Sequence, residues 1–251
     1  MNFLLDTIGF DLPNLLGLTA VLFAIVFLRY LLLSGTYHAL FFVVLRKRFQ
    51  QRFLHLSKFI SSQAKREIGR SAIGSLVLAL SGVAVLLLWQ NGHTQIYTDW
   101  HDYPNWYVPV SLLIALFLHE TYYYWLHRWM HLPKVYRKIH YAHHESMETS
   151  VLTSFSFHPI ESVLQAVFVP VALLFLPIHV YVLLFWLVLM TVSALVNHAG
   201  VEVYPAAFKQ HWLMKYLIGA THHDRHHKRF RYNFGLYFTC WDRWMKTESP
   251  D

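Results

Sequence analysis

The sequence predicts an all-α integral membrane protein, with about four or five transmembrane helices and a cytoplasmic helical cap that holds a histidine-rich site for two metal ions. Three observations lead there. The 251 residues are 55% hydrophobic and only 14% charged, where soluble domains carry about 25% charged residues. Apolar runs long enough to cross about 30 Å of hydrocarbon, which takes roughly 20 residues, recur along the chain. Histidine, 18 residues in all, gathers at offsets of three and four, the spacing that puts side chains on one face of a helix.

The first apolar run extends from Leu12 to about Leu45, interrupted by Arg29-Tyr30 and Ser34-Gly35. It is too long for one simple span, so it reads either as one tilted helix or as a span followed by an interfacial or re-entrant piece. Met1 to Asp11 contains no Lys or Arg, so a basic secretory leader is not expected and the first run should be retained. The second run, Ser71 to Trp89, is clean. The third, Trp106 to about Trp125, merges into a histidine cluster. The fourth, Val163 to Leu176, and the fifth, Val180 to Val196, flank Pro177 with no charge near it, which predicts a tight hairpin.

Basic residues alternate between the ends of these runs. Arg46 to Arg70, Arg128 to Lys138 and Lys209 to Arg231 are rich in Lys and Arg, whereas Asn91 to Asn105 and the Pro177 turn have none. The positive-inside rule then sets the N-terminus and the 91–105 loop outside and all three histidine clusters on the cytoplasmic side. The formal charge of +7 therefore speaks to orientation in a bilayer rather than to nucleic acid. Cys240 is the one cysteine, which excludes an intrachain disulfide and a thiolate-rich zinc site. No internal repeat, low-complexity segment or flexible linker is visible, so residues 1–251 read as a single membrane domain.

The clusters are His127-Arg-Trp-Met-His131, His140-Tyr-Ala-His143-His144 and His223-Asp-Arg-His226-His227. Neutral imidazole is a good ligand for iron, zinc, copper and nickel. Eight clustered histidines exceed the needs of one tetrahedral ion and suit two metals with positions left open. His198, at the end of the last span, and His222, beside the third cluster, are the next candidates. The scattered His38, His55, His93, His101, His179 and His211 read as surface or hydrogen-bonded residues. His119-Glu120 begins like a zinc-protease helix, but Tyr123 stands where the second histidine belongs. Glu120, about two turns before His127, could instead orient a ligand by accepting an imidazole N–H, or be a polar residue at the membrane interface. Asp224 and Glu145 read as either ligand-orienting or solvated. The aromatics Tyr122 to Trp125 and Trp129 read mostly as an interfacial belt.

In these motifs the chain resembles the fatty acid hydroxylase/sterol desaturase superfamily of membrane di-iron oxygenases. The pattern H-x-x-x-H, H-x-x-H-H and a distal H-x-x-H-H is present in order, with Tyr124-Trp125-Leu126-His127-Arg128, Phe157-His158-Pro159-Ile160-Glu161 and the closing Tyr232 to Arg243 around it. The resemblance covers about Arg29 to Thr247, with a histidine-box catalytic region at about 119–247. Within the superfamily the chain looks most like the sterol C-5 desaturase (lathosterol oxidase) branch, through Thr153 to Pro159, Lys65-Arg66-Glu67-Ile68 and the closing segment. Lys246 departs from that pattern, since relatives often carry Gly there, and is expected to alter the local turn.

The resemblance implies an enzyme that activates O2 at two irons (zinc could replace them in a purified sample) and removes hydrogen from an unactivated C–H bond of a lipid. The product is a double bond or a hydroxyl, and the substrate is sterol-like, or alternatively fatty-acyl. The implied ligands are His127, His131, His140, His143, His144, His198, His222, His223, His226 and His227. His158, with Pro159 at a first helical position, is expected to shape the site rather than ligate. No cytochrome b5-like domain is legible, so a separate donor, cytochrome b5-like or ferredoxin-like with its reductase, is implied. A membrane metal transporter is the rival of another class, but it would place ionisable groups at mid-span, and here the clusters lie at span ends. A bis-histidine haem protein would need single facing histidines rather than dense boxes.

Overall fold

A computed structural model of the chain describes residues 11–55 and 61–250. Residues 1–10, on which the reading of the N-terminus rests, lie outside the described residues.

The first apolar run forms one helix. α1 spans Leu12–His38 and continues through a π-helical turn, Ala39–Val44. Asp11 caps it by accepting from Asn14 N at 2.9 Å, with proline in the first turn. The polar breaks that made the run ambiguous form its contact face. Tyr30 is fully buried and donates to the Leu152 carbonyl at 2.9 Å, and Ser34 reaches the Val151 carbonyl. The opposite side, with Leu16, Val21, Ile25, Leu28 and Leu32, is exposed and apolar, the surface a helix offers to lipid.

α2 spans Ser61–Gln90 and packs along α1. α3 spans Tyr107–Met130. After it come a π turn at Tyr136–His140, the short α4 at Tyr141–His144, and a 3-10 turn at Val151–Phe155. α5 (Pro159–Ala166) and α6 (Phe168–Leu173) precede α7, Val180–His198. α8 covers Ala220–Arg229 and α9 Cys240–Trp244. Among the described residues three helical stretches are long and apolar enough to cross a membrane: Leu12–Val44, Ser62–Gln90 and Val180–His198. The third predicted run lies on α3, which has 24 residues but carries buried His119, Glu120 and His127 in its second half. The fourth lies on the shorter apolar stretch Pro159–Leu173.

The expected hairpin around Pro177 needs correction. The chain does turn there, but α5 and α6 pack chiefly against α2, while α7 packs chiefly against α3, α8 and the 3-10 turn. The turn is pinned from elsewhere: β1 (Ile96–Tyr97) pairs in parallel with β2 (Ile178–His179), with Ile96 opposite Ile178. Tyr107 Oη also donates to the Pro177 carbonyl at 3.0 Å. The loop at 91–105 and the Pro177 turn therefore share one end of the molecule, as the charge pattern requires. From Tyr107, at that end, to His127 along α3 is about 30 Å of helix, so the histidine clusters occupy the other end. Between the two ends lies a core of Leu116, Tyr123, Leu173, Ile178, Leu183 and the fully buried Trp186.

Candidate metal centre

Nine histidines converge on two points. His127, His131, His140, His144 and His226 form one group and His143, His198, His223 and His227 the other, each with its ligand atoms within 4.8 Å of one another. The i, i+4 pairs 127/131, 140/144 and 223/227 each stay together, as neighbours on one helical face must. Adjacent histidines do not: successive residues on a helix differ by about 100°, so His143 and His144 point into different groups, and so do His226 and His227. The doubled histidine of each H-x-x-H-H box is what lets one short helix serve both points. His198 enters the second group from the C-terminal end of α7. His222 joins neither group.

Five of the nine rings are oriented by what their Nδ1 touches. His127 Nδ1 donates to the Phe234 carbonyl at 2.9 Å, His143 to Ser156 at 3.2 Å, His198 to Ala194 at 2.7 Å and His226 to Tyr232 at 2.7 Å. His140 Nδ1 donates to the buried carboxylate of Glu161 at 2.8 Å. A neutral imidazole has one N–H, so these bonds assign the proton to Nδ1 and leave a lone pair on Nε2. Between His127 and His140, and between His143 and His198, the lone pairs then face one another. Nε2 atoms of His127 and His140, His140 and His144, His144 and His226, and His131 and His226 are each 3.1 Å apart, and those of His143 and His198 likewise. Two acceptors cannot hydrogen-bond to each other, and such convergence of lone pairs is repulsive unless a cation lies between them. Metal–imidazole bonds of about 2.1 Å at right angles would set nitrogens about 3.0 Å apart, so the donor set fits metal ions. Burial moves the same way: desolvation holds the imidazoles of His144, His226 and His227 well below their ordinary protonation range, which keeps them neutral and able to ligate.

Buried carboxylates hold this arrangement. Glu120 makes no bond to an imidazole. Fully buried, it accepts from the backbone N–H of Leu236 (3.1 Å), Tyr237 (2.6 Å) and Phe238 (3.3 Å). Asp242 accepts from Phe234 N and Gly235 N, both at 2.9 Å. Together they clamp the closing segment whose Phe234 carbonyl orients His127 and whose Leu236 carbonyl receives Asn197, the neighbour of His198. A Cβ on Gly235 would come within 2.9 Å of Glu120 Oε1 and 2.7 Å of the Phe238 carbonyl, so glycine is required there by close approach.

Glu67 of α2 is buried and accepts from Ser146, Thr153 and Ser150, which fixes the loop after the second box. Arg70 pairs with Glu145 and donates to the Ala142 carbonyl at 2.7 Å. Glu145 is thus an anchor of the second box to α2 rather than a solvated group. Asp224 pairs with Lys228 at 2.7 Å. His158 is the N-cap of α5, accepting from Ile160 N, with proline following.

Glu161 is the residue that reading the sequence missed as a functional group. Its signal was present in Phe157-His158-Pro159-Ile160-Glu161, but only the three-dimensional approach to His140 reveals the role. His55, expected to be hydrogen-bonded, binds the Thr149 carbonyl at 2.7 Å. Lys246 adopts φ +57°, the left-handed conformation that favours glycine.

The profile of the fatty acid hydroxylase family matches residues 112–247. Similar curated proteins include lathosterol oxidase of Mus musculus, 32% identical over 74% of this chain and 61% of its own length. Lathosterol oxidase of Homo sapiens is 30% identical over 78% of this chain and 64% of its own. A Delta(7)-sterol 5(6)-desaturase of Gibberella zeae is 27% identical over 80% and 61%. The match thus spans about three fifths of the length of these relatives. No solved structure matches the chain significantly.

Proposed function

The chain belongs to the fatty acid hydroxylase family, and from that premise we propose that it is an O2-dependent membrane oxidoreductase acting on an unactivated C–H position of a lipid, most plainly a sterol-like one. The observation that carries the reading is the convergence of nine imidazoles in two groups at the end of an apolar helical bundle. Two irons bound by His127, His131, His140, His144 and His226 and by His143, His198, His223 and His227 would supply O2 activation and hydrogen removal. His222 was expected to ligate as well, and the geometry favours leaving it out.

The chain's own residues do the positioning. Glu161, the carbonyls of Phe234, Ser156, Ala194 and Tyr232, and the clamp of Glu120 and Asp242 hold imidazole lone pairs inward before any metal arrives. The burial of eight of the nine rings excludes bulk water from the centre. Whether a held lipid loses a second hydrogen or gains a hydroxyl depends on its placement. The names of the similar proteins favour desaturation of a sterol, and a fatty-acyl hydroxylase is the second reading, supported by the family profile. Electrons would come from a separate cytochrome b5-like or ferredoxin-like donor, and the basic segments beside the clusters favour a cytoplasmic site.

The test is lipid profiling of cells that gain or lose the gene, alone and with His143→Ala. The expected result is one lipid whose unsaturation or hydroxylation follows the wild-type chain and not the variant. An unchanged lipid profile in all arms would refute the reading.

A further inference from the structure

At the end of the molecule that carries the histidine clusters a concavity of about 700 Å³ opens between the basic segment after α1, the stretch from Glu202 to Arg225, and the C-terminal residues. Sites for small organic ligands run to about 300–1,000 Å³. Its wall carries Arg52, Lys209, Lys215, Arg225 and Arg243 against two carboxylates, Glu202 and Glu248.

Both carboxylates are already engaged within the chain. Glu202 accepts from Thr221 N at 2.9 Å and Tyr204 N at 3.0 Å, at the N-terminus of α8. Glu248 pairs with Arg243 at 3.0 Å. Arg52, Lys209 and Lys215 have no carboxylate partner among the described residues. His222 lines the same wall, and both its ring nitrogens are shielded from solvent and lack a hydrogen-bond partner. This histidine takes no part in either metal group.

A hollow whose acids are consumed, and three of whose cations, Arg52, Lys209 and Lys215, have no carboxylate partner among the described residues, has the donor chemistry of an anion site. Phosphate oxygens are strong acceptors for ammonium and guanidinium donors, and Phe53, Phe208 and Leu217 leave apolar wall for an organic remainder. A docked protein would need a face of about 800 Å², whereas these charges line a concavity.

We propose that this pocket binds a phosphate monoester, independently of the metal centre. The basic run that ends at Arg52 leaves the membrane helix α1 directly, so a phosphorylated lipid headgroup and a soluble phosphate ester are both possible sources of that one chemistry.

The test is calorimetric titration of the full-length protein, held in phosphatidylcholine nanodiscs, with glycerol 3-phosphate and with dihexanoyl phosphatidic acid. Sulfate and dihexanoyl phosphatidylcholine serve as controls. Binding of at least one phosphate monoester should exceed both controls, and Lys209→Gln/Lys215→Gln and Arg52→Gln should each weaken it at least tenfold with unchanged melting and metal content. Binding of both probes assigns a soluble ester, and binding of the lipid form alone assigns a headgroup. Binding no tighter than the controls, or undiminished in the variants, would overturn the proposal. So would variants that bind phosphate normally but slow reduction by an acidic electron-transfer protein, since the charges would then serve a protein partner.

Discussion

Replacing Glu161 isolates what a single carboxylate does for the metal centre. Its Oε1 lies 2.8 Å from His140 Nδ1, and both side chains are essentially inaccessible, at 0% and 1% exposure. The bond does two things: it places the imidazole proton on Nδ1, and it holds the ring with Nε2 toward those of His127 and His144. In Glu161→Leu the Nδ1–H loses its acceptor in a dry environment, and the ring is free to turn or to shift its proton to Nε2. Loss of such an orienting partner costs about 10–100-fold in metal affinity, or about 1.4–2.7 kcal/mol. Glu161→Gln keeps an acceptor oxygen without the charge and should fall at the lower end. The assay is competition of each purified variant against a chelator of known affinity, with iron counted per chain, and melting of the metal-free proteins as a folding control. If Glu161→Leu held iron as tightly as the unaltered chain while folding normally, the argument that this bond orients His140 would fail.

Three further outcomes follow from the same geometry. Glu120→Ala strands the buried backbone N–H groups of Leu236 and Tyr237 at about 1–3 kcal/mol each, so the melting point should drop sharply and amide exchange at Leu236 and Tyr237 should accelerate. Unchanged exchange there would contradict the clamp. Lys246→Gly removes a left-handed conformation from a side-chain-bearing residue and should stabilise the chain by roughly 0.5–1 kcal/mol, read as a higher melting midpoint. In metal-stripped protein, burial keeps the imidazoles of His140, His144, His226 and His227 neutral where the unfolded chain protonates near pH 6.5. Above that pH neither state binds the proton and there is no cost. As pH falls below it, stability should decline by up to about 1.4 kcal/mol per pH unit for each such ring, and a melting point flat from pH 7 to 5.5 would contradict the buried neutral assignment.

The membrane helices were legible because lipid imposes one demand, that every backbone group be paired within the segment, and long apolar runs meet it. Where the reading split, between one helix and two for Leu12–Leu45, the deciding information was not local. Tyr30 and Ser34 look like breaks in a hydrophobic run, yet they are polar because they bond to Leu152 and Val151, more than a hundred residues away. The mistaken hairpin at Pro177 has the same origin. A proline between apolar runs predicts a turn, but which neighbour each run prefers depends on partners such as α2 that the turn does not encode.

Glu120 shows how a correct suspicion can attach to the wrong bond. Its position two turns from His127 invited direct contact with an imidazole. The helix instead directs the carboxylate at the backbone of residues 236–238, so its influence on His127 passes through the Phe234 carbonyl. Asp242, inside the closing motif, grips the same segment from the other side. That shared grip explains why a stretch without a single histidine belongs to the site.

The histidine boxes, by contrast, contain their own solution once helical angles are counted. Residues four apart differ by about 40° and can meet at one ion, whereas residues one apart differ by about 100° and cannot. H-x-x-H-H therefore encodes one like-facing pair and one outlier. In the second box His140 and His144 are the pair and His143 the outlier. In the third, His223 and His227 are the pair and His226 the outlier. The two boxes contribute in opposite sense, each lending its outlier to the group in which the other box supplies the pair. Two ions would thus be held by interlocking boxes, and neither group can form until both helices are in place.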